Sequence, residues 1–391
     1  MDINSCFATI EQQANPLLRG KPIAVAAYTS GNGCILAASV EAKKLGVKTG
    51  MMVREGKQIY PKLIVLSPDP DKYRNVHNKF KSLISQYTND FAPKSIDEFV
   101  MNMRDYMTLK DHPLKIVAQE IKERVKKEIG EWITVSIGIA PNRYLAKVAA
   151  GIKKPDGLIE INKDNYLEIY SKLALIDLTG IKTGNSTRLN SVGIYTVLDF
   201  YNAPIWKIKA AFHSITGLYW HTRLHGYEVD DIEFGRRSYG NSVALGKNLS
   251  TVNELSPVLA RLTEKMSARI REDGYKARGI HLALVSKNGG FWHKGRLTKS
   301  ELFDTRDFFR EALNLLREAH PNSPVRNIAV SAFSLTQSES SQLELFRDIS
   351  KNENLIKAMD QVNQKWGDFT LGMAESTQGG DVVLDRIAFG R

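Results

Sequence analysis

KSIDEFVM (residues 94–101) and, beyond residues 102–113, LKIVAQEIKERVKKEIGEWITVSIGIA (114–140) set a strand, a helix and another strand in succession. In the first run Ile96, Phe99, Val100 and Met101 flank two carboxylates, Asp97 and Glu98. Leu114, Val117, Ile121, Val125 and Ile129 then recur at helical spacing, and Trp132 to Ala140 reads as a strand. Upstream, Val76, Phe80, Leu83, Ile84 and Tyr87 mark another helix, and the chain opens on a strand end with a helix beginning near Phe7. Downstream, one further strand is expected around Gly157 to Ile161. The alternation is β-α-β-β-α-β, which predicts a ferredoxin-like α/β (α+β) unit. Lys21 to Tyr28 and Cys34 to Ala38, strands with the turn dipeptide Asn32-Gly33 between them, fall in a region inserted at 8–68.

After about residue 165 the pattern changes to short helices. Thr179-Gly180-Ile181-Lys182-Thr183-Gly184 precedes a helix carrying Leu189 and Val192. Two helices joined by a glycine turn, with backbone amides facing a phosphate, describe a helix-hairpin-helix clamp on a DNA backbone. The same residues also describe an ordinary turn between helices. A polar, mixed-charge stretch ending at Arg237 reads as a linker, placed at 231–237. A second β-α-β-β-α-β unit follows: strands at Tyr239–Ala244, Arg278–Val285, Phe291–Leu297 and Val325–Phe333, with helices through Leu255–Ile270 and Phe303–Leu316. The tail, 339–391, holds one apolar helix-like stretch, Leu355 to Trp366.

The chain has 391 residues, room for roughly two to four domains. Hydrophobic residues at 42% and charged residues at 25% exclude a disordered or collagen-like chain. No run approaches the ~18 apolar residues of a membrane span, and no signal-peptide layout opens the chain. Cys6 and Cys34 support neither a disulfide framework nor a cysteine-rich zinc site. A cytoplasmic protein without membrane partners is expected. The 54 Lys and Arg exceed the 43 Asp and Glu by 11. Residues 236–340 hold 17 basic against 10 acidic side chains, a surplus of 7, which points to a polyanion-binding face in the second unit.

Two adjacent carboxylates in an apolar strand are costly unless cations take them up. A pair of Mg²⁺ ions about 4 Å apart, sharing Asp97 and Glu98 with Asp2 of the opening strand, supplies a reason and suits phosphoryl transfer. An Asp-Glu pair at a solvent-facing strand end is the plainer alternative.

The neighbours of these residues carry a resemblance. Asp2-Ile3-Asn4-Ser5-Cys6-Phe7-Ala8-Thr9-Ile10-Glu11 and Ser95-Ile96-Asp97-Glu98 resemble two catalytic motifs of the Y-family translesion DNA polymerases. Leu36 to Lys43, with Leu45-Gly46-Val47 and Thr49-Gly50-Met51, resembles their fingers segment. Val135 to Ala140, Asn142, Leu145-Ala146-Lys147 and Lys153-Lys154-Pro155-Asp156-Gly157 resemble their last palm motif. The resemblance implies a multidomain right-hand polymerase: palm at 1–7 and 69–165, fingers at 8–68, a small helical thumb at 166–230, a little finger at 238–338 and a C-terminal tail. It implies that Asp2, Asp97 and Glu98, with the Ile3 carbonyl, hold two Mg²⁺. It makes Phe7 a steric gate against the ribose 2′-hydroxyl, a place where a core aromatic would also be ordinary. Lys43, Lys154 and the Cys6 and Phe7 amides would hold the triphosphate; Lys147 would do so too or be a solvated helix residue. Gly180, Lys182 and Gly184 would meet the DNA backbone. Gln342-Leu343-Glu344-Leu345-Phe346 resembles the pentapeptide that bacterial polymerases dock into the sliding clamp, with Gln342, Leu343, Leu345 and Phe346 as anchors. The implied partners are primer–template DNA, deoxynucleoside triphosphates, the clamp and accessory proteins of the SOS response, and the implied activity is low-fidelity synthesis past damaged bases.

The chain also departs from the family pattern. Val40 stands where a tyrosine is frequent, Lys43 where an arginine is, Asn4 for a common aspartate, and Lys182 for a usual glycine. Lysine lacks the bidentate fork of arginine. Asn32-Gly33-Cys34 with Glu41-Ala42-Lys43 leans toward the polymerase V catalytic-subunit branch. Asp2 directly follows Met1, so the native start is expected upstream. The short first strand and the residues at Val40 and Lys43 motivate a rival reading, a catalytically impaired DNA- and clamp-binding factor at stalled forks.

Overall fold

The computed structural model describes residues 1–104, 106, 113–231, 235–337, 349–367 and 369–379. The chain divides into two units, meeting at residues 233 and 234.

The first unit begins with β1 (Asp2–Ile3) and α1 (Cys6–Ala14). The inserted region follows: β2 (Ile23–Ala26) pairs antiparallel with β3 (Ile35–Ala38) and parallel with β4 (Ile64–Leu66), enclosing a small core with α2 (Val40–Lys44) and α3 (Val53–Ile59). The expected turn is present, and Gly33 is required in it. A Cβ there would lie 1.8 Å from the Tyr28 carbonyl oxygen.

The chain then returns through α4 (Pro70–Ile84) to a hairpin of β5 (Phe91–Pro93) and β6 (Phe99–Met101). The run 94–101, expected as one strand, is therefore strand only from Phe99. Residues 94–98 form the hairpin loop, closed by the Lys94 amide donating to the Glu98 carbonyl at 2.8 Å. Asp97 sits half-buried in a bend rather than in a core strand, so the two carboxylates are not successive positions of one buried strand. The missed partner is β5: with only three residues and a proline, it carries almost no periodicity.

Next come α5 (Leu114–Arg124, continued by one π turn over Val125–Ile129), β7 (Val135–Ile139), α6 (Arg143–Ile152) and β8 (Leu158–Glu160). β1 pairs antiparallel with β7, and β7 parallel with β8. On its other side β1 meets the hairpin through the single bridge Asp2↔Glu98. The Ile3 amide donates to the Asp97 carbonyl at 2.9 Å, and the Phe99 amide to that of Met1 at 3.0 Å. The strand order β5-β6-β1-β7 is the ferredoxin-like one, with β8 appended. Phe80, Leu83, Ile84, Val117, Ile121 and Val125 share a buried cluster with Ile3, Val135 and Ile137.

A helical segment closes the first unit: α7 (Tyr166–Lys172), α8 (Thr183–Ser191), α9 (Val197–Asn202), α10 (Ile205–Phe212) and α11 (Thr216–Leu224), around Leu178, Ile181, Leu189, Phe200 and Trp220. Before the glycine turn stands one 3₁₀ turn, Leu175–Asp177, rather than a full helix.

The second unit carries β9 (Ser238–Leu249), α12 (Val252–Glu272), β10 (Tyr275–Ser286), β11 (Phe291–Leu302), α13 (Thr305–Ala319) and β12 (Val325–Gln337). The element order repeats that of the first unit, but the strand order is β11-β10-β12-β9, all antiparallel. Its core side holds Ile280, Leu282, Ile328 and Val330 against α12 and α13. On the alternate positions stand His281, Ala283, Ala329 and Ser331. The tail stretch is α14 (Ile349–Trp366), fastened to α12 and to the start of β10 by Arg271–Asp360 at 2.6 Å and Lys276–Glu353 at 2.7 Å. Among the described residues no helix is long and apolar enough to cross a membrane.

Candidate active site

The bridge between β1 and the hairpin gathers the acidic residues. It sets Asp2 opposite Glu98 and draws the Asp97 carbonyl onto the Ile3 amide, so carboxylates from positions 2, 97 and 98 share one place on the sheet. Asp97 Oδ1 accepts from Ser95 Oγ at 2.5 Å. Burial, with the charges of Asp2 and Glu98, raises the Asp97 pKa above the usual carboxylate value.

Three ammonium groups surround them. Lys154 Nζ lies 2.6 Å from Asp2 Oδ2, and Lys147 Nζ lies 2.5 Å from Glu98 Oε2. Lys43 of α2 has its pKa lowered by loss of solvent around it and by the charge of Lys154, against the opposing pull of Asp2 and Asp97. The sequence left Lys147 undecided between phosphate and solvent; the fold puts it on Glu98.

Local structure fixes these lysines. Asn142 caps α6 by accepting the Leu145 amide at 2.7 Å, and its Nδ2 donates to the carbonyls of Arg223 and Tyr227. α6 lies flush on β7 because Gly138 has no side chain: a Cβ there would be 2.0 Å from the Ala146 carbonyl oxygen. The loop bearing Lys154 is held from both sides. Lys122 donates to the Asp156 carbonyl at 2.5 Å and Lys126 to its carboxylate at 2.9 Å. From the other side the Gly157 amide donates to Ser136 Oγ at 3.2 Å. Asn4, buried beside Ser136, donates to that hydroxyl and accepts the Asp156 amide in the amide orientation that satisfies its neighbours. A neutral amide at this depth completes the network without adding a fourth carboxylate. Ser136, Gly138, Asn142, Asp156 and Gly157 fall within the quoted palm motif and Asn4 within the first motif, whereas Lys122 and Lys126 lie outside both.

Ser5, at φ 51° and ψ 39°, turns the chain from β1 into α1. The first intrahelical bond runs from the Thr9 amide to the Ser5 carbonyl, so the Cys6 and Phe7 amides belong to the open first turn, where anions are favoured. Burial, then the charges of Asp97 and Asp2, pushes the Cys6 thiol well up. Phe7 is 1% exposed and stacks on Tyr73 with ring centres 4.3 Å apart and planes 9° apart. Tyr73 donates in turn to Glu11 at 2.9 Å.

Gly180 has φ +93° and abuts the Trp220 ring, while Lys182 and Gly184 are exposed at the start of α8. Gln342, Leu343, Leu345 and Phe346 lie outside the described residues.

The impB/mucB/samB family model matches residues 1–151, and the model of that family's C-terminal domain matches 236–345. The chain is 31% identical to the DNA polymerase IV of Pelotomaculum thermopropionicum, over 98% of this chain and 96% of that one. It is 30% identical to DNA polymerase IV 1 of Bacillus subtilis, over 94% and 90%. Among solved structures it resembles a Y-family polymerase chimera of Dbh and Dpo4, with TM-score 0.76, 25% identity and coverage of 86% and 98%. The chain belongs to the Y family of translesion DNA polymerases. It is a DNA-directed DNA polymerase, and the non-catalytic reading is not favoured. A similar solved structure is an insertion ternary complex of Dbh DNA polymerase, with TM-score 0.58, 25% identity and coverage of 85% and 97%. DNA and nucleotides are thus the substrates of this polymerase. Enzymes of the family are nucleotidyltransferases that generally use divalent metals.

The residues present fit such a metal. Three carboxylates at one bridge, balanced by three ammonium groups, form a site built for cations, and all-oxygen donors suit a hard divalent ion. With Asp2 and Glu98 turned to their lysines, the described residues hold no group of three His, Cys, Asp or Glu poised around one ion.

Proposed function

We propose that this polymerase extends a template-paired primer past damaged bases by two-metal nucleotidyl transfer, with two Mg²⁺ held by Asp2, Asp97, Glu98 and the Ile3 carbonyl. The observation that carries this reading is the Asp2↔Glu98 bridge, with the Ile3 amide on the Asp97 carbonyl, which brings together carboxylates about 95 positions apart in sequence. In the reaction the primer 3′ oxygen bonds to the α-phosphorus, the bond to the bridging oxygen breaks, and pyrophosphate leaves. When bound, the two ions lower the pKa of the 3′-hydroxyl and neutralise the phosphates. Lys43, Lys154 and the Cys6 and Phe7 amides receive the triphosphate, and Phe7 stands as the steric gate, braced from behind by Tyr73.

The parts follow as palm at 1–7 and 69–165, fingers at 8–68, thumb at 166–230, linker at 231–237, little finger at 238–338 and tail at 339–391. Gly180, Lys182 and Gly184, at the exposed start of α8, take one phosphate of the duplex. The face of the second sheet bearing His281, Ala283, Ala329 and Ser331, mostly small side chains, receives the duplex. Gln342, Leu343, Leu345 and Phe346 bind the sliding clamp, accessory proteins of the SOS response act with the enzyme, and it works in the cytoplasm.

The test is Mg²⁺-dependent primer extension on undamaged and abasic templates, beside an Asp97→Ala, Glu98→Ala double variant. Extension by the parent alone, with primer–template affinity equal in both, is the expected result. Extension by the variant would remove these carboxylates from the mechanism.

A further inference from the structure

Two contacts at the site remain without a role in the transfer reaction. Lys147 and Lys154 each place an ammonium on a carboxylate that should ligate metal, at 2.5 and 2.6 Å. The lysine side chains are 43% and 42% exposed, whereas Glu98 and Asp2 are 16% and 25% exposed. The ammonium groups therefore approach from the solvent side, the side from which an ion must arrive. Their backbones cannot retreat: α6 is flush on Gly138 and capped by Asn142, and the Lys154 loop is pinned by Lys122 and Ser136. Only the side chains can swing away.

Charge gives the exchange a direction. Asp2, Asp97 and Glu98 balance Lys43, Lys147 and Lys154. Two divalent ions entering alone would leave the site four charges in excess, beside ammonium groups that have lost their partners. A nucleoside triphosphate carries about four negative charges near neutral pH and gives those ammonium groups new anionic oxygens.

We propose that Lys147 and Lys154 are positioning residues that occupy the metal site of the resting enzyme, and that they are released onto the triphosphate as metal and nucleotide enter together. This rests on reading Asp2, Asp97 and Glu98 as the metal ligands. Metal and nucleotide then bind cooperatively, each favouring the state that the other needs. Both pairs are partly exposed, so solvent screens their attraction. A screened pair of this kind competes with a metal by about two- to fivefold per lysine.

The test uses the full chain and Mn²⁺ as the probe, with free Mn²⁺ counted by electron paramagnetic resonance, without nucleotide and with a triphosphate whose α–β bridge is a non-cleavable imide. In Lys147→Gln, Mn²⁺ affinity without nucleotide should rise about two- to fivefold, and the gain that nucleotide adds should shrink. Lys147→Arg should behave like the parent, and Lys154→Gln like Lys147→Gln. Unchanged or weaker nucleotide-free affinity in both glutamine variants, with the parent binding Mn²⁺ and the Asp97→Ala, Glu98→Ala variant not binding it, would overturn the proposal while leaving the ligand assignment intact. Equal Mn²⁺ binding by parent and double alanine variant would instead remove the ligand assignment and the proposal with it.

Discussion

At the scale of single residues, the sharpest question is what Phe7 excludes. Its ring lies in the core and is stacked on Tyr73, whose hydroxyl is tied to Glu11. A wall braced in this way cannot yield to an extra hydroxyl, which is the property a sugar gate needs. Phe7→Val should therefore raise ribonucleotide incorporation relative to deoxyribonucleotide by roughly 10- to 200-fold, the range over which small steric differences in a pocket discriminate. Single-nucleotide insertion kinetics with both sugars would measure it, and unchanged selectivity in a folded variant would return Phe7 to an ordinary core role. The position was legible because it lies in a motif; Tyr73 was not, because contacts between α1 and α4 leave no trace in local spacing. The same holds for Asn4 and Ser136, whose side chains meet across 132 positions of sequence.

The element that sets the site is α6, and two of its glycine neighbours separate packing from propensity. A methyl on Gly138 would meet the helix backbone at 2.0 Å from the Ala146 oxygen and 2.4 Å from the Ala150 nitrogen. Gly138→Ala should therefore lift α6 from β7, cost about 1–3 kcal/mol as overpacking does, and lower the extension rate by displacing Lys147. Gly151, within α6 itself, has nothing within 4 Å of a Cβ. Gly151→Ala should be neutral or stabilise by up to about 1 kcal/mol. Urea unfolding of the two variants checks the pair, and equal effects would show that α6 does not rest on this contact. Periodicity made the long elements legible: α4, α5, α12, α13 and the strands β9, β10 and β12 each bury one face or one stripe. It failed at β5 and at the 94–98 loop, where three-residue strands and a hairpin are decided by the Asp2↔Glu98 bridge rather than by local pattern. It also could not order the strands. Two units with one element sequence adopt different strand orders, because that choice is made by packing between distant elements.

For the whole molecule, charge is the property that composition exposes and structure corrects. Residues 236–340 carry a surplus of 7 basic side chains, yet Arg271 and Lys276 are only 6% and 4% exposed and are neutralised by Asp360 and Glu353 of α14. Seven less these two leaves five as the surplus that can meet phosphate. If about five phosphates are neutralised, the logarithm of primer–template affinity should fall against that of salt concentration with a slope of about −4 to −5, a loss of roughly 500-fold between 50 and 200 mM. Fluorescence anisotropy across that range measures the slope, and a value near zero would mean that the duplex is not held by this surplus. The tail acids then supply a discriminating variant. Glu353→Gln with Asp360→Asn adds two formal positive charges, so charge counting alone demands a steeper slope. The burial of Arg271 and Lys276 demands something else: both cations lose their partners inside the fold, the second unit is destabilised by several kcal/mol, and the slope stays where it was. A steeper slope with stability unchanged would show that α14 masks a DNA-binding surface instead of bracing α12.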